Sequence, residues 1–378
     1  MASEIGRGMS RNRRALIIGI IIVVAVLGFV IRSRMGADDS QGQVLKVGAI
    51  LPQTGAGAVF AQYIEEGIDL AVEEINANEQ PQVKVLYEDS KNQPREGLAV
   101  YNKLVSTENP PVVIVALSSV AKALAPLAAQ SKTTQVYIAV AIPGITDGQH
   151  TFRVYPEALG IAEVIARYNA VNFAAKTSAV IYVNDEYGRV SLEAYKKKFE
   201  EQGGAVVFAE SYELQQTDFR AQISKLKEIS PAPDVIYLCG YGPAYGSVVR
   251  QLKEQQVSSR LTADMTMGLS DTRRQIGEAA EGVHFVDGKV SPEFAKRFLK
   301  RYGKEPSSYA GYAYDIIRLI HETAKGKQTF TSDSVSNGLR VVRDHAGAMG
   351  NVTIWSNGGS TFEFVVKRVE GQKVIPVE

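Results

Sequence analysis

The most constraining feature of this sequence is a regular alternation between short apolar runs and longer amphipathic segments. From Val44 onward, runs such as "LKVGAIL", "VVIVAL" and "SAVIYVN" alternate with segments in which apolar residues recur every three or four positions. After the first run, Ile64, Ile68, Ala71 and Ile75 line one face of a helix and leave acidic residues to water. Runs that are apolar along their whole length are typical of parallel strands buried on both faces. The sequence therefore predicts an α/β protein.

The alternation forms two consecutive blocks, from Val44 to about Tyr155 and from about Ala158 to Val286. The predicted strands are "LKVGAIL", "VKVLYED", "VVIVAL", "VYIAVAI", "SAVIYVN", "AVVFAES", "DVIYLCG" and "GVHFVDG". A helical stretch follows, and then a carboxyl-terminal β piece in which Asn357-Gly358 and Glu370-Gly371 mark turns between strands. The lysine run 196–198 lies beside glutamates and is typical of a solvated helix face.

Composition excludes several classes of protein. Of 378 residues, 45% are hydrophobic and 22% charged, as in a globular protein, and Lys+Arg 42 against Asp+Glu 41 leaves no basic excess for nucleic acid. The single cysteine, Cys239, lies in an apolar run and is predicted to be a buried, inert thiol. None of the four histidines has metal-ligand spacing, and His321 lacks a second histidine four residues on. We expect no metal site.

The amino terminus is of a different kind. Arginines within residues 1–14 precede seventeen uncharged, mostly aliphatic residues, Ala15 to Ile31, which as a helix would rise about 25 Å. A cleaved signal peptide is the alternative, but cleavage after Ala37 or after Gly36 would place Met35 or Arg34 at the third position before the cut. We therefore predict an uncleaved transmembrane anchor, with residues 1–14 cytoplasmic, residues 32–43 a linker and the remaining chain on the outer face.

The loop "LPQTGAGAVFAQ" follows the first predicted strand and contains Gly55 and Gly57. A dinucleotide site needs a third glycine or alanine three places on, and Phe60 stands there instead. The sequence has no phosphate loop ending in Gly-Lys-Ser/Thr and no Gly-x-Ser-x-Gly elbow. We therefore expect no cofactor and disfavour an enzyme, although a carboxylate-based enzyme stays open as an alternative.

Hydroxyl and aromatic residues follow several strands, where open α/β sheets bind ligands. Ser118 and Ser119 stand between a buried strand and a helix, as a helix N-cap or as part of an anion seat. Tyr187 and Tyr241 follow strands of the second block, and each fits packing or ligand contact. Their shared placement favours a ligand site.

The segments "VGAILPQTG", "YEDSKNQP", "ALSSVAKALAPLA", "FRVYPEA", "VNDEYGRVSLEAYKKKFEEQGG" and "PDVIYLCGYGP" occur in this order. Together they resemble the type I periplasmic-binding fold and, more narrowly, the leucine/isoleucine/valine-binding subfamily of ABC-transporter solute-binding proteins. The resemblance covers residues 44–378 and implies two Rossmann-like lobes joined by three hinge crossings. It places the first lobe at about 44–155 and 289–348, and the second at about 156–288 and 349–378.

The resemblance also implies ligand-binding residues. The pocket-lining aromatic matches Phe60, the carboxylate-binding serine matches Ser118, and the aromatic of the second lobe matches Tyr187, with Tyr241 in the loop behind it. The expected contacts are Phe60, Ser118, Ser119, Ala139, Ala141, Tyr187, Tyr241 and Asp264. Asp264 corresponds to the acid that pairs with an ammonium group. Ala141 replaces the family's threonine or serine, so a carboxylate with an apolar or aromatic body fits as well as an amino acid.

The resemblance implies a solute-binding component of an ABC importer, with permease and ATPase subunits as partners and no catalytic activity. The alternative is a membrane-tethered sensor that reports ligand to a membrane partner.

Overall fold

The structure is a computed structural model that describes residues 44–371 and 373–377. The predicted cytoplasmic segment 1–14, anchor 15–31 and linker 32–43 lie outside the described residues. Within the described part of the chain, no helix combines the length and the apolar character that a membrane span requires.

Strands and helices alternate along most of the chain, as the sequence predicts. The strands are β1 (Val44–Leu51), β2 (Gln82–Asp89), β3 (Val112–Ala116), β4 (Thr134–Ile138), β5 (Thr151–Arg153), β6 (Thr177–Val183), β7 (Ala205–Tyr212), β8 (Val235–Cys239), β9 (Arg260–Ala263), β10 (His284–Gly288), β11 (His345–Gly347), β12 (Gly350–Val352), β13 (Phe364–Glu370) and β14 (Lys373–Val377). The helices are α1 (Ala58–Asn78), α2 (Pro94–Glu108), α3 (Ser118–Ser131), α4 (Ala158–Asn172), α5 (Glu186–Glu201), α6 (Arg220–Lys227), α7 (Pro243–Glu254), α8 (Ser270–Ile276), α9 (Pro292–Tyr302), α10 (Ser308–Ala324) and α11 (Ser332–Arg340).

The first sheet has five parallel strands in the order β2-β1-β3-β4-β5. Every residue of β3 and β4 is buried, which explains why these runs are apolar along their whole length. Helices α1 and α10 pack against each other beside this sheet. They approach so closely that a Cβ at Gly67 would lie 2.1 Å from the carbonyl oxygen of Ala310, so only glycine fits at that crossing.

The second sheet has seven strands in the order β14-β13-β10-β9-β8-β6-β7. Strands β6 to β10 are parallel, whereas β13 runs antiparallel to β10 and β14 antiparallel to β13. The antiparallel strands at this edge belong to the carboxyl-terminal β piece, in which the sequence predicts turns between strands. The predicted carboxyl-terminal β piece forms a hairpin, turning at Glu370-Gly371, and extends the sheet because its backbone pairs with β10.

We call the elements around the first sheet the first lobe and those around the second sheet the second lobe. The chain passes between the sheets three times: from β5 into α4, from β10 into α9, and from the β11–β12 hairpin into β13. Helix α9 returns to the first lobe, where Arg301 pairs with Glu73 of α1 at 2.6 Å. These passages leave two sheets connected by three short segments, the arrangement that permits hinge motion.

Four short strands, β5, β9, β11 and β12, are absent from the predicted set because three or four residues give too little periodicity to recognise. The predicted strand "VYIAVAI" is too long. Strand β4 ends at Ile138, and Ala139 has φ +53°, which lies outside the extended region.

Candidate functional site

The carboxyl ends of strands from both sheets meet at one cavity between the lobes. The first lobe contributes residues after β1, β3, β4 and β5 and the start of α10, and the second lobe contributes residues after β6, β8 and β9. The lining residues are Phe60, Leu117, Ser118, Ala139, Tyr155, Tyr187, Tyr241, Thr266 and Tyr309. A ligand pocket is expected at this position in open α/β sheets.

The lobes are closed over this cavity. Its free volume is about 20 Å³, little more than one water molecule requires. The hydroxyl of Tyr63 lies 2.7 Å from Ser270 Oγ and donates to Asp271 Oδ2 at 3.0 Å, which joins α1 to α8 across the cleft. A second contact between the lobes joins α3 to α5, where the Lys122 ammonium group donates to the Glu186 carboxylate at 2.7 Å. A solute can therefore enter only when the lobes move apart.

Phe60 reaches the cavity because the loop after β1 turns sharply into α1. Gly55 adopts φ +82°, and Thr54 donates its amide and hydroxyl hydrogens to the carboxylate of Asp89, at 3.2 and 2.5 Å. Helix α1 then begins at Ala58, and Phe60 lies edge to face with Tyr241 of the other lobe, with ring centroids 5.5 Å apart. Phe60, which stands where a dinucleotide site needs glycine or alanine, thus forms part of the cavity wall.

Ser118 is the first residue of α3 and not its N-cap. The residue before the helix is Leu117, no side chain caps the helix, and the hydroxyl oxygen of Ser118 instead accepts from the Ala141 amide at 3.3 Å. The helix-cap interpretation is therefore wrong. The Ser118 hydroxyl hydrogen has no acceptor among the described residues, so it can donate to a ligand oxygen beside the free amide groups of the helix start.

Two non-glycine residues at this edge have left-handed backbones. Leu117 follows β3 with φ +70°, and Ala139 follows the neighbouring strand β4 with φ +53°. Both residues line the cavity. Such conformations are costly and concentrate at functional sites. They turn the chain sharply at the strand ends and bring small or apolar groups to the cavity wall.

Asp264 lies behind the cavity wall. Its carboxylate is fully buried and accepts from the Tyr187 hydroxyl at 2.7 Å, the Gly240 amide at 2.8 Å and the Thr266 amide at 3.1 Å. Burial raises the pKa of Asp264 to about 6, and these hydrogen bonds oppose the rise. Tyr187 and Thr266 line the cavity and Asp264 does not, so the carboxylate is bonded to residues of the cavity wall without forming part of it.

Tyr241 connects the lobes through its hydroxyl. It donates to the carboxylate of Asp185, which also accepts the Gly188 amide at 2.9 Å as the N-cap of α5. The side-chain amide of Asn92, in the first lobe, donates to the same Tyr241 hydroxyl at 2.8 Å. Burial raises the pKa of Asp185, and the bond from Tyr241 opposes the rise. The ring orientation is fixed from both sides.

The structure brings five of the eight predicted contacts to the cavity wall: Phe60, Ser118, Ala139, Tyr187 and Tyr241. The other three lie nearby. Ser119 is the next residue of α3, and Asp264 accepts a hydrogen bond from Tyr187. Ala141 donates its amide hydrogen to Ser118 Oγ and lines a separate groove beside α5.

Sequence reasoning missed four lining residues: Leu117, Tyr155, Thr266 and Tyr309. Tyr155 stands at the predicted lobe boundary and Thr266 two places after Asp264, so either position was a usable signal. Tyr309 is the second residue of α10, in a stretch with several buried tyrosines, where nothing distinguishes a cavity residue from a core residue.

The cavity is aromatic and uncharged. Five of its nine lining residues have aromatic rings, and none is an acid, a base, a histidine or a cysteine. Its polar groups are the hydroxyls of Ser118, Thr266 and the tyrosines. These residues offer no metal ligands of the usual kinds and no nucleophile–base pair. The arrangement suits a small solute with an apolar body and one polar end near Ser118.

Comparison with known proteins agrees with this geometry. A family model described as periplasmic binding protein matches residues 44–365. A relative from Brucella abortus, named Leu/Ile/Val-binding protein homolog 2, is 25% identical over 335 residues, covering 86% of this chain and 89% of the relative.

Two solved structures share the fold. A leucine binding protein from Thermotoga maritima superposes with a TM-score of 0.82 at 25% identity, covering 88% of this chain and 98% of that protein. A solute binding protein of an ABC transporter from R. palustris, in complex with benzoate, superposes with a TM-score of 0.80 at 18% identity, covering 89% and 96%.

These matches confirm the resemblance predicted from the sequence motifs. The family consists of solute-binding proteins rather than enzymes, which confirms the prediction that the chain is not an enzyme. The match extends over most of the chain and includes both sheets up to the start of β13. The chain therefore belongs to the periplasmic binding protein family.

Proposed function

We propose that this protein captures a small carboxylate-containing solute between its lobes, as the extracytoplasmic solute-binding component of an ABC importer. The observation that supports this most strongly is the cavity itself. It takes Phe60 and Ser118 from one lobe and Tyr187, Tyr241 and Thr266 from the other. A solute in contact with both walls stabilises the closed form, because the open form offers it only one wall.

We infer that the carboxylate of the solute binds at Ser118. The Ser118 hydroxyl stands at the start of α3, where the first amide groups of a helix lack partners within it and the helix dipole favours negative charge. The rings of Phe60 and Tyr187 then pack on the body of the solute. The proposed contact residues are the five predicted residues that line the cavity together with Leu117, Tyr155, Thr266 and Tyr309, while Ser119, Ala141 and Asp264 lie next to this wall.

An aromatic or aliphatic acid fits the observed wall at least as well as an amino acid. An ammonium group needs an acceptor, and the carboxylate of Asp264 is covered by the Tyr187 hydroxyl. An α-amino acid would therefore have to displace Tyr187, whereas a simple acid would not. The fold is compatible with either class, since one solved neighbour is named a leucine binding protein and another contains benzoate.

The ligand class can be tested by calorimetric titration of the full-length protein in detergent with leucine, benzoate and benzamide. Leucine binding supports the amino-acid class, benzoate binding without benzamide binding supports a simple acid, and a ligand should also raise the melting temperature with concentration. If benzamide binds as tightly as benzoate, the carboxylate seat at Ser118 is wrong.

Delivery to a membrane permease and its ATPase is the partner assignment that fits the family. The relatives bear the names of binding proteins, which favours transport over the sensor alternative. We expect the solute-loaded protein to co-purify with a permease. Co-purification with a kinase instead would support the sensor alternative.

We propose further that residues 15–31 hold the protein in the cytoplasmic membrane, with the binding domain outside. The proposal depends on the sequence alone, through the apolar run and the unfavourable residues Arg34 and Met35 at the candidate cleavage positions. Full-length protein should fractionate with membranes and retain its original amino terminus. Soluble protein beginning near Asp38 would contradict the anchor.

A further inference from the structure

A cluster of metal-ligand side chains lies in the first lobe where α1 and α10 end. One ligand atom each from Glu79, His321 and Glu322 lies within 4.8 Å of the other two. Glu79 directly follows α1, and the other two residues belong to the last turn of α10. Spacing along the chain does not predict this cluster, because Glu79 is far from His321 in the sequence.

The imidazole of His321 is oriented as in a metal site. The residue is fully buried, and its Nε2 lies 3.1 Å from the carbonyl oxygen of Pro81. A carbonyl oxygen only accepts, so Nε2 holds the proton and Nδ1 of the neutral ring presents a lone pair. Metal-binding histidines are commonly fixed by such a bond from the opposite nitrogen.

The lone pair on Nδ1 is unpaired. Among the described residues, Nδ1 of His321 has no hydrogen-bond partner, and the nearest acidic oxygen, Glu79 Oε2, lies 3.8 Å away. A buried acceptor without a donor is costly. A cation between this nitrogen and the two glutamates would remove that cost.

Lys325 supplies a positive charge at this place. Its ammonium group contacts Glu79 Oε2 at 2.7 Å and Glu322 Oε1 at 2.5 Å. The Lys325 side chain is partly exposed, and its flexible stem can swing the ammonium into solvent. Arg318 contacts the other oxygen of Glu79 at 2.5 Å, so it can stay in place while the ammonium leaves.

We propose that Glu79, His321 and Glu322 bind a divalent transition-metal ion of the Zn²⁺ type, which displaces the ammonium group of Lys325. One imidazole and two carboxylates are ligands that Zn²⁺ accepts, with water completing the coordination. The nitrogen ligand selects against Ca²⁺, which takes oxygen ligands.

The ion would connect the ends of two helices that begin at the solute cavity. Phe60 lies near the start of α1 and Glu79 just after its end, a separation of about 28 Å along the helix axis. The metal is therefore remote from the solute, and its binding is independent of the function proposed above.

The test is calorimetric titration of untagged full-length protein in detergent with ZnCl₂ and, separately, CaCl₂. We expect one Zn²⁺ per chain and no heat from Ca²⁺. Glu322→Gln, at a partly exposed position, should weaken Zn²⁺ binding about tenfold or more. His321→Gln keeps an N–H for Pro81 but lacks the Nδ1 lone pair, and it should weaken binding to the same degree.

Lys325→Gln provides the opposite prediction, because removing the competing ammonium should tighten Zn²⁺ binding. Lys289→Gln, which removes an exposed lysine paired with Glu363, is the matched control and should bind as the parent does. Because His321 is buried, circular dichroism checks that the His321→Gln variant folds. The Glu322→Gln and Lys325→Gln variants test the metal site even if His321→Gln does not fold. Absence of Zn²⁺ binding to the parent, unchanged affinity in Glu322→Gln, or unchanged or weaker affinity in Lys325→Gln would overturn the proposal.

Discussion

The hydroxyl of Tyr187 donates a hydrogen bond to the carboxylate of Asp264 at 2.7 Å. The same ring lines the cavity, and the carboxylate behind it is fully buried. The bond therefore has two effects. It stabilises a negative charge that burial disfavours, and it ties that charge to a residue of the cavity wall. The ionisation of Asp264 is coupled in this way to the shape of the cavity wall.

This coupling predicts a pH dependence of stability. Burial raises the pKa of Asp264 to about 6, against about 3.9 in an unfolded chain. Between these values the folded state binds more protons than the unfolded state, so the free energy of unfolding falls as pH rises from about 4 to 6. The fall from this residue is about 3 kcal/mol. Burial raises the pKa of Asp315 to about 7, which extends the fall toward neutral pH.

Tyr187→Phe should enlarge this fall. The bond from Tyr187 lowers the pKa of Asp264, so its loss raises that pKa and moves the upper end of the window above pH 6. Urea denaturation at pH 4, 5, 6, 7 and 8 measures the effect. Tyr182→Phe is the control, because Tyr182 makes no hydrogen bond to Asp264. Identical pH profiles for Tyr187→Phe and the parent would show that the bond does not control the ionisation.

Ser118→Ala should weaken binding of a carboxylate solute by about 1–3 kcal/mol, the range for losing a hydrogen bond to a charged group. The binding of a neutral amide of the same shape should weaken much less. Calorimetry on both solutes measures the difference, with Ser224→Ala as the control because Ser224 is an exposed residue of α6. If both solutes bind to Ser118→Ala as they bind to the parent, Ser118 does not hold the carboxylate.

Tyr63→Phe should weaken the binding of every solute equally. The Tyr63 hydroxyl contacts Ser270 and Asp271 across the cleft, so it stabilises the closed form without contacting the cavity. Its loss should cost about 0.5–1.5 kcal/mol of affinity, mainly through faster dissociation. Tyr101→Phe removes a comparable bond to Ser131 within the first lobe and should leave affinity unchanged. A loss restricted to one solute class would contradict this role.

The fold was largely predictable because its main strands and helices differ clearly in period. All eight predicted strands are present, including buried runs such as "VVIVA" of β3. Strands β5, β9, β11 and β12 were too short to recognise. The pairing of β13 with β10 depends on a contact between distant segments, which no local pattern reveals.

The candidate site was predictable where strand ends and family motifs coincide, as at Phe60 and Tyr187. The site was not predictable where backbone geometry determines which residues line the cavity. The positive φ of Leu117 makes Leu117 a lining residue and removes Ser118 from the capping position, and a leucine gives no sign of such a conformation. Asp264 does not line the cavity, because its carboxylate is bonded to Tyr187, Gly240 and Thr266 of the second lobe. Spacing along the chain does not reveal these contacts.

The central claim is that a solute binds between the lobes and holds them closed, and an inter-lobe distance measurement tests it most directly. Cys239 is buried and burial raises the pKa of its thiol well above the usual range, so spin labels attach selectively to cysteines introduced at the exposed positions Gln93 and Gln215, one in each lobe. In the full-length protein without solute, double electron–electron resonance should show a long, broad distance distribution. A saturating solute, identified by calorimetry, should shorten it to the single distance of the closed structure. An unchanged distribution at saturation would contradict binding between the lobes.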